Sequence, residues 1–132
     1  KFAVSGVNLG LFCSTPAVPL ARNLPRKQAF EMLVTGDFMD ATTALARGLV
    51  NRVVPAGELD AEVRKLTDSI CAKSPKAVAM GKQAFYKQIE MGLEGAYQLA
   101  AETMACNMMA EDAQEGIDSF IAKKPMPPWK DC

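Results

Sequence analysis

The stretch EMLVTGDFMDATTALARGLVNRVVP, residues 31–55, decides the fold. Its first residues continue an apolar helix that Pro25 opens, with Phe30, Leu33 and Val34 on one side. Thr35-Gly36-Asp37 stops that helix with a turn. Asp40 is a good N-cap for a helix over Ala41–Arg47, because a short carboxylate accepts from the free amides of a first turn. Gly48 suits the left-handed position that closes such a helix. Leu49–Val54 is rich in β-branched residues and ends at Pro55, which predicts a short strand.

Toward the N-terminus, KFAVSGVNLGLFCSTPAVPLA is apolar but is broken by Gly6, Gly10 and Pro16. It predicts a short strand within residues 1–9, then an irregular turn, and it is too interrupted to span a membrane. Residues from about Ala17 to Val34 read as helical, divided by Pro19 and Pro25. Toward the C-terminus, Leu59, Val63, Leu66 and Ile70 form one stripe on a helix. Ser74-Pro75 supplies an N-cap and a proline at the first helical position. The helix it opens carries Val78, Phe85 and Ile89 on one side. Gly92 and Gly95 separate it from a helix running to about Met109. A last helix follows Glu111-Asp112, with Ala113, Ile117, Phe120 and Ile121 inward, and the proline-rich tail KKPMPPWKDC cannot continue it. Two short strands are too few for a free-standing sheet, so they read as edges of a sheet whose other strands lie elsewhere.

The 132 residues carry 15 Lys and Arg against 15 Asp and Glu, which gives no broad attraction for nucleic acid or acidic membranes. There is no histidine, and Cys13, Cys71, Cys106 and Cys132 form no CxxC pair. Zinc-finger, Ser-His-Asp and Cys-His chemistry within the chain are thereby excluded, and no metal is expected. Scattered cysteines fit a reducing compartment.

Three blocks in order resemble the crotonase (enoyl-CoA hydratase/isomerase) superfamily. The first is the opening stretch, with Thr35-Gly36, Ala41 and Ala44, Gly48-Leu49-Val50 and Val53-Val54-Pro55. The second is SPKAVAMGKQAFYK, residues 74–87, and the third is EDAQEGIDSFIAKKPMPPW, residues 111–129. The resemblance covers essentially the whole chain. It implies an α/β, crotonase-like (ClpP/crotonase) fold, of which this segment is the mostly helical C-terminal half. Residues 1–55 are then the end of the β/α core, and 56–132 a helical trimerisation and CoA-contact region. The resemblance also implies that the rest of the core, and the family's first catalytic glutamate, precede Lys1, so the chain reads as a fragment or a processed product.

Family hydratases activate one water between two glutamates, while two backbone amides hold the thioester oxyanion. The second glutamate falls at Gly6 here, in Ser5-Gly6-Val7-Asn8-Leu9-Gly10, and the first acidic residue in the chain is Glu31. The resemblance therefore implies no catalytic residue in this segment. The run SGVNLGLFCSTP resembles a branch of the family that is not acidic at that position. The usual Gly-rich turn is altered to Cys13-Ser14-Thr15-Pro16. Superfamily members with one acid isomerise or hydrolyse thioesters instead.

Gly6, Val7 and Phe12 are candidate walls of an acyl pocket. Gly6 reads equally as a tight turn needing a positive φ. Cys13 reads as a small filler, and Ser14 and Thr15 as caps near Pro16. Lys123 and Lys124 match the family's basic residues near the nucleotide end of CoA, and equally suit a solvated helix end. Met108, with Met104 and Met109, lies near the position where the family packs an apolar residue on the adenine, and suits core or subunit packing at least as well. Arg22, Arg26 and Lys27 read as a solvated face, and Trp129 as an anchor for the tail.

The expected protein is an enoyl-CoA hydratase/isomerase-like acyl-CoA-binding protein of fatty-acid metabolism in which two-glutamate hydration is in question. It takes no cofactor besides the CoA thioester, and it self-associates as a homotrimer or dimer of trimers. Neither nucleic acid nor membrane is an expected partner. The compartment is the cytoplasm in a bacterium and the mitochondrial matrix in a eukaryote. The alternative is a non-catalytic crotonase-fold scaffold or regulatory acyl-CoA-binding protein.

Overall fold

The computed structural model describes residues 1–130, and Cys132 lies outside the described residues. The chain divides into two compact units, Lys1–Leu59 and Asp60–Cys132. Among the described residues, seven α-helices run in order: α1 (Ser14–Asn23), α2 (Arg26–Thr35), α3 (Ala41–Ala46), α4 (Leu59–Cys71), α5 (Pro75–Gln88), α6 (Leu93–Met108) and α7 (Glu111–Ile121).

The first unit holds the buried core. Leu20 and Leu24 from the α1 end, Ala29, Met32 and Leu33 from α2, and Met39 and Ala44 pack together. Phe2, Val4, Cys13, Leu49 and Val50 close over them. Pro19 does not divide the first helix. It lies inside α1, where it removes a single donor, and Leu20 still packs into the core. Pro25 does separate α1 from α2. The buried face of α2 is Ala29, Met32 and Leu33, so Phe30, 61% exposed, and Val34 are on the outside, contrary to the expectation for both.

Local chemistry sets the ends of the helices. Asp40 Oδ1 accepts from the Thr43 amide at 2.6 Å and caps α3, and that bond holds the Asp40 carboxyl below the ordinary aspartate value. At the far end of α3, Gly48 has φ +81°. Its amide reaches the Leu45 carbonyl at 3.0 Å, and the Leu49 amide reaches Ala44 at 2.8 Å, a Schellman closure. Gly36 closes α2 with φ +68°, and a Cβ there would lie 2.8 Å from Asn8 Nδ2.

Neither expected strand forms among the described residues. Residues 1–9 give one antiparallel bridge, with Phe2 and Met39 exchanging both backbone bonds at 2.8 Å. Leu49–Val54 is irregular, with bends at Leu49 and Asn51, and has no ladder partner among the described residues. A β-branched run needs a neighbouring edge before it becomes a strand, and none is described beside it.

In the second unit, Ser74 Oγ caps α5 by accepting from the Ala77 amide at 3.2 Å, with Pro75 at the first helical position. Gly92 caps α6, whereas Gly95 lies inside that helix rather than before it. Helix α5 packs on α6, and α6 on α7. Among the described residues of 60–130, only Ser74, Ala110 and Asp112 are buried. The stripe of Val63, Leu66 and Ile70 is exposed, as are Val78, Phe85 and Ile89. Phe120 and Ile121, expected inward, are 75% and 72% exposed. The apolar periodicity identifies the faces that prefer a cover, but this unit does not cover them itself.

Candidate functional site

Each unit carries candidate residues of its own. In the first, Gly6–Leu9 forms a 3₁₀ turn. The Gly10 amide bonds to the Val7 carbonyl and the Leu11 amide to the Gly6 carbonyl, both at 3.0 Å. Gly10 has φ +79°, and Gly6 is not among the residues with positive φ. The turn reading of Gly6 is therefore corrected: space, not backbone sign, requires the glycine. A Cβ at position 6 would collide with Cys13 Sγ and would stand 2.9 Å from the Leu11 carbonyl oxygen.

Cys13 is half-buried and sits at the N-cap of α1, packed against the core. Val7 is half-buried, and Phe12 is 54% exposed. Ser14 and Thr15 lie in the first turn of α1, and no side chain caps this helix. The capping role expected of them is absent, because the helix begins at Ser14 and neither residue stands before it.

In the second unit, α7 ends with the same closure as α3. The Lys124 amide reaches Ser119 at 2.9 Å, and the Lys123 amide reaches Phe120 at 3.1 Å. Here the left-handed position is filled by Lys123, φ +51°, rather than glycine. Both lysines are exposed, and Met108 is the last residue of α6.

A buried polar node lies nearby in sequence. Ser74 Oγ donates to Asp112 Oδ2 at 2.5 Å, and the Lys130 amide donates to Asp112 Oδ1 at 3.0 Å. The Ser74 hydroxyl, then the Lys130 amide, hold the Asp112 carboxyl below the ordinary aspartate value. Lys130 Nζ contacts Glu111 at 2.5 Å and Glu115 at 2.8 Å, and its pKa is raised by those two carboxylates. Trp129 Nε1 donates to the Ala72 carbonyl at 2.8 Å, and its ring would lie 3.4 Å from a Cβ at Gly116. Trp129 thus anchors the tail. An apolar cavity of about 420 Å³ opens beside it, lined by Ala77, Ala113, Ile117, Phe120 and Met126 among others.

The sequence reading had no role for Asp112. Its signal was the acidic pair opening α7, but nothing local tied that pair to the cap of a helix 38 residues earlier. No cluster of His, Cys, Asp or Glu suited to a metal occurs among the described residues, and no described helix is long and apolar enough to cross a membrane.

The enoyl-CoA hydratase/isomerase family model matches residues 1–132, and the chain belongs to that family. It is 49% identical over 129 residues to mouse "Enoyl-CoA hydratase domain-containing protein 3, mitochondrial", covering 98% of this chain and 43% of the mouse protein. An enoyl-CoA hydratase crystal structure from Mycobacterium smegmatis superposes with a TM-score of 0.93 at 56% identity, covering 97% of this chain and 49% of that one. The human domain-containing protein 3 structure gives 0.90 at 47% identity, covering 97% and 50%. The domain-containing protein 3 branch is the one that SGVNLGLFCSTP resembles. The chain spans less than half the length of the mouse relative and about half of each solved one.

Proposed function

We propose that the polypeptide to which this chain belongs binds an acyl-CoA thioester of fatty-acid metabolism and does not hydrate enoyl-CoA by a two-carboxylate route. The observation that carries this reading is at position 6, where the family's second glutamate would stand. Cys13 Sγ and the Leu11 carbonyl leave no room there for even a Cβ. Without that carboxylate, one of the two groups that handle the water is gone.

Gly6, Val7 and Phe12 wall the acyl end. Lys123 and Lys124 meet the phosphates of CoA as point charges, and Met108 packs on the base. Residues 56–132 self-associate as a trimer or a pair of trimers, a reading supported by the exposed faces of Leu66, Ile70, Phe85 and Met104. The compartment is the matrix in a eukaryote, as the name of the mouse relative suggests, and the cytoplasm in a bacterium.

Titration of the complete polypeptide with crotonyl-CoA and a non-hydratable acyl-CoA, with enoyl absorbance followed in parallel, tests this. Binding without enoyl loss is expected. Enoyl loss at an enzymatic rate refutes the missing-carboxylate argument. Failure to bind either ligand removes the acyl-CoA reading. Binding without turnover of any acyl class favours the second reading, a non-catalytic crotonase-fold regulator, which the crowding at Gly6 also supports.

A further inference from the structure

We infer that Cys13 is a specificity-determining partner of Gly6: its sulfur fills the space a side chain at position 6 would need, so the two residues set the shape of this wall together. The inference rests on the reading that Gly6 walls the acyl pocket, and it deepens it by naming the residue that fixes the wall.

The geometry is one-sided. Gly6 has no positive φ to satisfy, so alanine is acceptable to its backbone. What excludes a side chain is contact, first with Cys13 Sγ and then with the Leu11 carbonyl at 2.9 Å. The carbonyl is backbone, so it gives way less readily than the end of a side chain. The sulfur is the larger obstacle and is removable by substitution. Cys13 is also tethered, since it occupies the N-cap of α1 and packs on the core of Leu20, Leu24 and Met32. It therefore cannot swing away to admit a Cβ without disturbing that packing. Its bulk, not its reactivity, is what the wall uses.

A double-mutant cycle in the complete polypeptide, with acyl-CoA binding measured on each variant, tests this. Gly6→Ala alone is expected to lower the melting temperature by roughly 3–10 °C, as overpacking does. In the Cys13→Ala background the same change is expected to cost less than half as much. Separately, Cys13→Ala, which opens the wall, is expected to shift the ratio of dissociation constants for isovaleryl-CoA and butyryl-CoA about tenfold toward the branched ligand, and Cys13→Val to shift it the other way. A merely structural role would move the melting temperature and leave that ratio unchanged. Equal cost of Gly6→Ala in both backgrounds overturns the pairing, whatever the ligands do. Coupling in stability with an unchanged ligand ratio overturns the specificity role. Coupling in stability with no acyl-CoA bound by any variant overturns the proposed function and the specificity role together, and leaves a packing contact.

Discussion

Lys123→Gly is expected to stabilise the end of α7. Lys123 holds φ +51° at the closing position of the helix, where a side chain costs about 1–2 kcal/mol relative to right-handed backbone. Glycine removes that cost but brings about 0.5–1 kcal/mol of extra chain entropy, so the net gain is about 0.5–1 kcal/mol. The motif reports on itself, because the Lys123 and Lys124 amides are its two donors. Hydrogen exchange at position 124 is expected to slow about two- to fivefold. Gly48→Ala is the mirror experiment. It occupies the same position after α3 with φ +81°, and a Cβ there meets nothing within 4 Å, so its cost is conformational alone. Exchange at the Leu49 amide is expected to quicken by a similar factor. Faster exchange at Leu49 with none of the expected slowing at position 124 would refute the idea that Lys123 is held in a strained backbone. Were Lys123 also a phosphate contact, the stabilised variant would bind CoA more weakly, a trade familiar at functional positions.

Gly36→Ala is expected to cost about 2–3 kcal/mol, since it adds left-handed strain to a clash with the Asn8 side chain; combining it with Asn8→Ala should recover only the steric part in a denaturant titration. Trp129→Ala, which removes the bond to the Ala72 carbonyl and the ring over Gly116, should cost about 2 kcal/mol and expose the tail to trypsin after Lys123, Lys124 being followed by Pro125. The lowered pKa of Asp112 means its contribution is complete above the ordinary aspartate range and disappears as pH falls through the folded-state value. Acid should therefore free the tail and shift the emission of Trp129, the chain's one tryptophan; an identical acid transition in Asp112→Asn would refute the link.

What the sequence made legible was chemistry decided within a few residues. Asp40 before α3, Ser74-Pro75 before α5, Pro25 before α2 and Gly48 after α3 each act on amides or carbonyls one turn away. The strands were misread because Leu49–Val54 has the composition of a strand without a described partner, and pairing is not a property of one segment. Phe120 and Ile121 read as inward because periodicity marks an apolar face without saying whether this chain covers it. At Gly6 the turn reading named a positive φ that the backbone does not have, and the crowding by Cys13 Sγ was not foreseen. The sulfur that crowds it arrives seven residues later, through a turn whose path no pattern in Ser5–Cys13 specified.

The near absence of buried side chains in residues 60–130 has a calorimetric consequence. Unfolding a typical domain raises heat capacity by about 12–15 cal/mol/K per residue, the balance of a larger rise from newly wetted apolar surface and a fall from polar surface. Residues such as Val63, Leu66, Phe85 and Met104 are already partly wet in the folded chain, so they have less hydration left to gain than core residues. This unit on its own would melt with a shallow, weakly curved stability profile for its length. The missing heat capacity would instead appear, with negative sign, when those faces are covered.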